Sequence, residues 1–334
     1  MTRSDKKIAI FGCKQTTVFI VDFLSSIIKV DYIITIGPAL AIKNEVADYF
    51  DLSNYCDEKN IGLYTATSYN LKNETDISKI TSLQIDVAFV IGWQRLIPEQ
   101  ILQSITIGCF GMHGSSMNLP LGRGRSPMNW SLIEGRKVFY TNLFKYDAGV
   151  DSGDVLATFK FTITDRDTGE TMHFKNTLTM KSLISNNIEA ILSNNFKLSK
   201  QPDITPTYYP KRSPSDGLID WKDDIFNIER FIRAVAPPFN GAFTFIGKEK
   251  LVIFDSQIFD IIDYQTENEP PGKIVEIFSD KKFLVKGYGG LLLINNYESN
   301  YIPKKGDLLT NNNESIKVFK TNRHGNFDVE EGNK

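Results

Sequence analysis

Four short apolar runs separated by helix-like stretches constrain the first hundred residues most strongly. They are KIAIFG at 7–12, VDYIITIG at 30–37, IGLYTA at 61–66 and IDVAFVIGW at 85–93. Near-continuous apolar character is the pattern of strands covered on both faces. Between the runs, residues 16–29 and 77–84 place apolar side chains at helical spacing, and an Asp-Leu-Ser start introduces a helix near 52–60. Strands alternating with helices predict an open, mostly parallel α/β sheet.

Such sheets often hold a dinucleotide at the first strand-to-helix turn, where G-x-G-x-x-G lets the backbone approach a pyrophosphate. That turn reads FGCKQTT and supplies only Gly12, and no GxxxxGK[ST] loop occurs. The opening turn therefore argues against nicotinamide cofactors and against P-loop chemistry.

Further along, residues 137–146 and 154–164 read as a strand pair joined by the sharp turn DAGVDSG. A long mixed helix is expected over 168–194. The stretch 199–217, SKQPDITPTYYPKRSPSDG, then has linker composition. After it come one amphipathic helix at 225–235 and a string of short strands with Gly, Pro or Lys punctuation, which predict a small β-barrel or sandwich. The last dozen residues are polar and expected to be loose. The organisation read from this is a catalytic domain at 1–203, a linker at 204–217 and a C-terminal β domain with a polar tail at 218–334.

At 334 residues the chain is ample for two cores, and its formal net charge of −2 gives no reason to expect nucleic acid or an anionic membrane. Cys13, Cys56 and Cys109 are too scattered for a disulfide framework or a thiolate metal site. With three histidines in the chain, no metal is expected. No apolar stretch reaches membrane-spanning length and the N-terminal run is short for a signal peptide, so the expectation is a soluble, cytoplasmic protein.

The chemistry concentrates in residues 111–130, GMHGSSMNLPLGRGRSPMNW. His113 follows the strand-like ITIGCFGM and would emerge at a strand's C-terminal end, where open α/β sheets place ligands. Asp151 and Asp154 lie in a Gly-rich turn at another strand end. Arg123 and Arg125, with Gly122 and Gly124, form a basic loop suited to a carboxylate or phosphate. A histidine beside a carboxylate can act as general base and acid near neutral pH. Taken singly, each feature also fits a packed histidine, an ordinary Asp-Gly turn or a solvated loop.

Their order and spacing decide more. The stretch HGSSMNLPLGRGRSPMNWSLIEG followed by LFKYDAGVDSGDVL resembles the folate-dependent formyltransferase family. Its pattern is approximately N-x-H-x-S-L-L-P…RG-x-x-P…W…NG and then M-D…G-x-D-x-G-D. His113, Ser115, Pro120, Arg123, Gly124, Pro127, Trp130 and Gly135 fit the first half, and Asp147, Gly149, Asp151, Gly153 and Asp154 the second. GWQRLIPEQIL at 92–102 is similar to the family's folate-lining segment. YYPKRSPSDGLIDW and FIRAVAPPFNGAFTF are similar to the start of its C-terminal domain.

The resemblance implies a Rossmann-like, mostly parallel N-terminal sheet and a smaller, OB-like open β-barrel. It implies N10-formyltetrahydrofolate as formyl donor and a primary amine as acceptor. His113 would move the proton, with Asp151 as its charged partner. Gly92, Trp93, Gln94, Arg95, Leu96, Ile97, Asp147 and Gly149 would hold the folate. Ser115, Ser116, Arg123, Gly124, Arg125, Tyr208 and Tyr209 would meet the acceptor. The HGS and RGR-x-P-x-N-W wording is most similar to formyltransferases of nucleotide-linked amino sugars in surface-glycan synthesis, which are often dimers.

One position departs. The family's third catalytic group, an asparagine two residues before the histidine, is Gly111 here. Losing one oxyanion donor costs about 10²–10³ in rate. A backbone N–H, a water or Ser115 or Ser116 could supply the bond, and the retained His113 and Asp151 favour an active enzyme over a non-catalytic folate or sugar-nucleotide binder. The alternatives are initiator methionyl-tRNA formylation and hydrolysis of the donor by water. From Lys211 onward the chain has 17 Lys and Arg against 19 Asp and Glu, which gives no support to a tRNA-binding second domain.

Overall fold

The computed structural model describes residues 5–46, 48–264 and 268–316. The polar tail expected at the C-terminus lies outside them. The described residues form two compact units, one within 5–123, 140–161 and 175–206 and one within 124–139, 162–174 and 207–316.

In the first unit the expected alternation is realised: β1 (Ile8–Phe11), α1 (Gln15–Ser25), β2 (Tyr32–Ile36), α2 (Pro38–Lys43), α3 (Ser53–Lys59), β3 (Gly62–Ala66), α4 (Glu74–Ser82), β4 (Val87–Val90), α5 (Glu99–Ser104) and β5 (Gly108–Ser115). The chain continues with β6 (Arg123–Gly124), α6 (Pro127–Ile133), β7 (Val138–Lys145), β8 (Val155–Thr162) and the long α7 (Gly169–Leu192). The sheet runs β3-β2-β1-β4-β5-β7-β8. Its first five members are parallel, and β7 runs antiparallel to β5.

Alternate residues of each strand serve the two faces. Ile8, Ile10, Val87 and Phe89 join a core with Ile20 and Leu24 of α1 and Met180, Leu183 and Ile184 of α7. Ala9, Phe11, Ala88 and Val90 join a second core with Tyr69, Ile80, Trp93 and Ile101 on the other face. The short helices α2, α5 and α6 were not legible in the pattern, because six or seven residues are too few to show a 3.6-residue period.

Strand order reverses between β1 and β4, and ligands of open α/β sheets bind beyond the strand ends at such a point. Gly12 serves packing there. A Cβ on it would lie 2.2 Å from the Ile91 carbonyl oxygen and 2.4 Å from the Thr17 hydroxyl, which itself donates to Ile91 O at 2.8 Å.

The second unit holds α6, β9 (Tyr208–Tyr209), α8 (Ile225–Val235), β10 (Ala242–Ile246), β11 (Glu249–Asp260), β12 (Ile274–Ile277), β13 (Phe283–Gly287), β14 (Gly290–Ser299) and β15 (Leu309–Thr310). The expected small barrel is a curled, antiparallel half-barrel in the order β12-β13-β14-β11-β10-β15. Register shifts between β11 and β14 give it curvature. The α8 helix buries Ile225, Ile228 and Ile232 at i, i+3 and i+7, with Asp224 as N-cap accepting from Asn227 N. Asn129 of α6 donates to Ala234 O at 2.7 Å.

Candidate active site

His113 lies within β5 rather than beyond it, near the strand's C-terminal end. Val90 of β4 pairs with Gly111 of β5, so His113 stands two residues beyond the last pairing with β4, at the end of the sheet where the 91–97 segment begins. His113 is 7 % exposed. Its Nε2 lies 2.7 Å from the Gly122 carbonyl oxygen, which can only accept, so this nitrogen carries a proton in the contact. Its Nδ1 lies 3.3 Å from Asp151 Oδ2, whose side chain is 18 % exposed. The ring is thus fixed at one nitrogen, and the other faces a carboxylate. Gly122 can bring its carbonyl in because it has φ 68 and no Cβ; one would sit 2.2 Å from Ser115 Oγ.

Asp151 occupies the left-handed region with φ 50 in the turn between β7 and β8. Two side chains shape that turn. Asp147 Oδ1 accepts from Gly149 N at 3.0 Å and from the Ser152 hydroxyl. The Gln201 side-chain amide donates to the carbonyls of Asp151 and Gly153, each at 2.8 Å, and accepts from Arg123 Nη2 at 2.7 Å. Arg123 is therefore linked to the Asp151 turn through Gln201. Gln201 falls at the end of the expected catalytic domain, in a stretch of linker composition, and the sequence does not single it out, since nothing local marks a glutamine as a brace for a distant turn.

Of the residues expected to line the folate, Gly92 to Ile97 follow β4 as one segment, while Asp147 and Gly149 lie in the Asp151 turn. Gly92 has φ 79 and turns the chain. Trp93 is 7 % exposed, edge-on to Tyr69 with ring centres 4.9 Å apart. The Gln94 N–H donates to the Tyr69 hydroxyl at 3.1 Å, and the Arg95 guanidinium lies over the same ring at 4.8 Å. Leu96 is exposed and Ile97 buried. The indole N–H of Trp93 is buried without a hydrogen-bond partner among the described residues. An acceptor on a bound molecule would satisfy it, since a buried donor left unpaired costs about 1–3 kcal/mol.

The residues expected to meet an acceptor divide between the units. In the first, Ser115 is buried and its Oγ accepts from Met117 N at 3.2 Å, while Ser116 is half-buried and Arg123 is placed as above. In the second, Gly124 has φ 100 and the Arg125 N–H donates to Tyr209 O at 3.0 Å. Tyr209 is fully buried, stacked on Trp130 with 6° between planes and donating to Glu134 at 2.8 Å, so its ring is engaged in packing. Tyr208 is partly exposed. Arg212 lies over Trp130 and Phe231, and burial lowers its pKa to about 10.

Two further side chains share the His113 face. Asn142 stands directly opposite His113 on β7, buried, with Oδ1 accepting from Thr158 at 2.6 Å. Tyr146 follows the end of β7, its N–H donating to Cys109 O at 2.7 Å. The family pattern has methionine where this chain has Tyr146. That second departure from the pattern, beside Gly111, is the signal the sequence offered.

The profile described as "Formyl transferase" matches residues 7–186, and that of "Formyl transferase, C-terminal domain" matches residues 211–301. Among solved structures, the chain is similar to an N-formyltransferase from Helicobacter canadensis in complex with folinic acid and dTDP-3-aminofucose. The identity is 18%, the TM-score 0.62, and the match covers 88% of this chain and 100% of that one. It is similar to WlaRD, a sugar 3N-formyl transferase crystallised with dTDP and 5-N-formyl-THF, at 20% identity and TM-score 0.61, covering 88% of this chain and 98% of that one. HypX from Aquifex aeolicus in complex with tetrahydrofolic acid matches at 15% identity and TM-score 0.59, over 92% of this chain and 46% of that one. At these identities the likeness is one of fold. The matched profiles together span most of the sequence, and the chain belongs to the formyl transferase family.

Proposed function

We propose that this protein transfers a formyl group from N10-formyltetrahydrofolate to the primary amine of a nucleotide-linked amino sugar. The observation that carries the reading is the His113–Asp151 pair, 3.3 Å apart at the sheet edge where β4 and β5 end. Such a pair suits acyl transfer to an amine. The amine nitrogen attacks the formyl carbon and must shed a proton, and the folate nitrogen must gain one as it leaves. With Nε2 engaged by Gly122, the nitrogen of His113 that exchanges the proton is Nδ1, which faces the Asp151 side chain. General acid–base help of this kind contributes about 10²–10⁴-fold.

The folate assignment is supported by the buried, unpartnered Trp93 N–H in the segment after β4, and by the folates in the related structures. The acceptor class is supported by the dTDP-sugar and dTDP in two of them, and by the absence of a net basic C-terminal sequence.

The test is a turnover assay with N10-formyltetrahydrofolate and a panel of UDP-, dTDP- and GDP-linked amino sugars, read by mass. Gain of one formyl group on a sugar, lost in His113→Ala, is the expected result. No gain on any sugar, with initiator methionyl-tRNA accepting the group instead, overturns the acceptor assignment.

A further inference from the structure

The space beside Gly111 is filled by Tyr146. A Cβ at position 111 would lie 2.3 Å from Tyr146 Cε1, 2.6 Å from Cζ and 2.7 Å from the hydroxyl oxygen. Any side chain at 111 and this phenol therefore exclude one another. Gly111 and His113 stand two apart on β5 and share a face. Their partners on β7 are Phe144 and Asn142, and Tyr146, two residues beyond Phe144, continues on that face. The phenol is held there. Its backbone N–H is bonded to Cys109, and its ring stacks on Phe144 with centres 5.0 Å apart and planes at 23°.

The Tyr146 side chain is half-buried, and its hydroxyl makes no hydrogen bond to any described residue. A phenol held against the catalytic face with its O–H uncommitted is a donor awaiting an acceptor. Burial, and after it the Asp151 charge, push its pKa well above the ordinary value, so it keeps its proton at neutral pH.

We propose that the Tyr146 hydroxyl is the oxyanion donor of this site, standing where a side-chain amide at position 111 would otherwise reach. The inference rests on the formyl-transfer reading above. The amine lone pair forms the new C–N bond, and the carbonyl π pair moves onto the formyl oxygen. Tyr146 donates a hydrogen bond to that oxygen and keeps its proton. The pair then returns to re-form the carbonyl, and the bond to the folate nitrogen breaks with its electrons left on that nitrogen. The proton shed by the amine passes through His113 to the folate nitrogen. The products are the formamide and tetrahydrofolate, and nothing is oxidised or reduced.

Tyr146→Phe tests this, because it keeps the ring and its stacking and removes one oxygen. Its kcat should fall about 10²–10³-fold while KM for donor and acceptor stays within about threefold. Each protein is also assayed with hydroxylamine as acceptor. That reaction passes through the same oxyanion and needs no sugar site, so an incorrect acceptor assignment leaves the Tyr146 comparison readable. Gly111→Asn introduced into Tyr146→Ala should recover at least about tenfold over Tyr146→Ala alone, which a merely structural tyrosine would not predict. A Tyr146→Phe protein that turns over within about threefold of the unmodified protein with both acceptors overturns the assignment.

Discussion

Gln201 holds Asp151 by its backbone: the side-chain Nε2 lies 2.8 Å from the Asp151 carbonyl oxygen and the same distance from that of Gly153. Asp151 is an L-residue at φ 50, a conformation that costs about 1 kcal/mol and persists only where neighbours enforce it. Gln201 enforces it and ties the turn to Arg123. Gln201→Leu should therefore lower kcat about tenfold, equivalent to ~1.4 kcal/mol, with a far smaller change in donor KM. Steady-state kinetics beside a thermal melt checks this. A variant with unaltered kcat would show that the turn is held by its other contacts.

His113→Ala and Asp151→Asn should each reduce kcat by about 10²–10⁴-fold, because either change leaves the shed proton without its stabilised acceptor. The double variant should be little worse than the weaker single one, since the two side chains act as a unit. Multiplicative losses in the double variant would mean that the residues act independently.

Gly111→Ala places a Cβ 2.3 Å from the Tyr146 ring, so ring or strand must shift. Overpacking of this kind costs about 1–3 kcal/mol. The melting temperature should fall, and the loss should disappear when Tyr146→Ala is combined with it. A denaturation double-mutant cycle measures this coupling, and additive effects would separate the two positions.

Asp76 is the clearest source of acid sensitivity. It is fully buried in α4, where its carboxylate accepts from the Tyr64 hydroxyl, the backbone N–H groups of Thr67 and Ser68, and Asn73 Nδ2. Burial alone would raise its pKa, but those donors outweigh burial and hold it below the ordinary value. The stability this supplies is complete above the unfolded-state carboxylate range, near about pH 4, and is lost as pH falls through the lower folded value. Asp76→Asn should thus be destabilised by about 2–3 kcal/mol at pH 7, with the deficit shrinking below about pH 4. Urea titrations at both pH values check this, and a deficit independent of pH would point to packing instead.

Strands β1, β2 and β4 were legible because a strand covered on both faces must be apolar throughout, as the runs around Ile10, Ile34 and Phe89 are. The α8 helix was legible to the residue: Asp224 caps it, and its apolar face repeats at helical spacing over 225–235. His113 and Asp151 were found through the order of their motifs, which chain spacing preserves. The short α6, by contrast, starts at Pro127 inside what composition presents as loop, because Gly, Ser, Pro and Arg mark a turn and a helix start alike.

Spacing along a chain records which residues are near neighbours on one element, and that was enough for the sheet, the longer helices and the choice of His113 and Asp151 as candidates. Contacts between residues far apart in sequence depend on where elements end and how they pack, and no local pattern encodes them. Folding alone set Gln201 beneath Asp151, Gly122's carbonyl against His113, and Tyr146 over Gly111. Position 111 reads as a missing group in the sequence. In the folded protein it is a glycine because close packing leaves that space to the phenol of Tyr146.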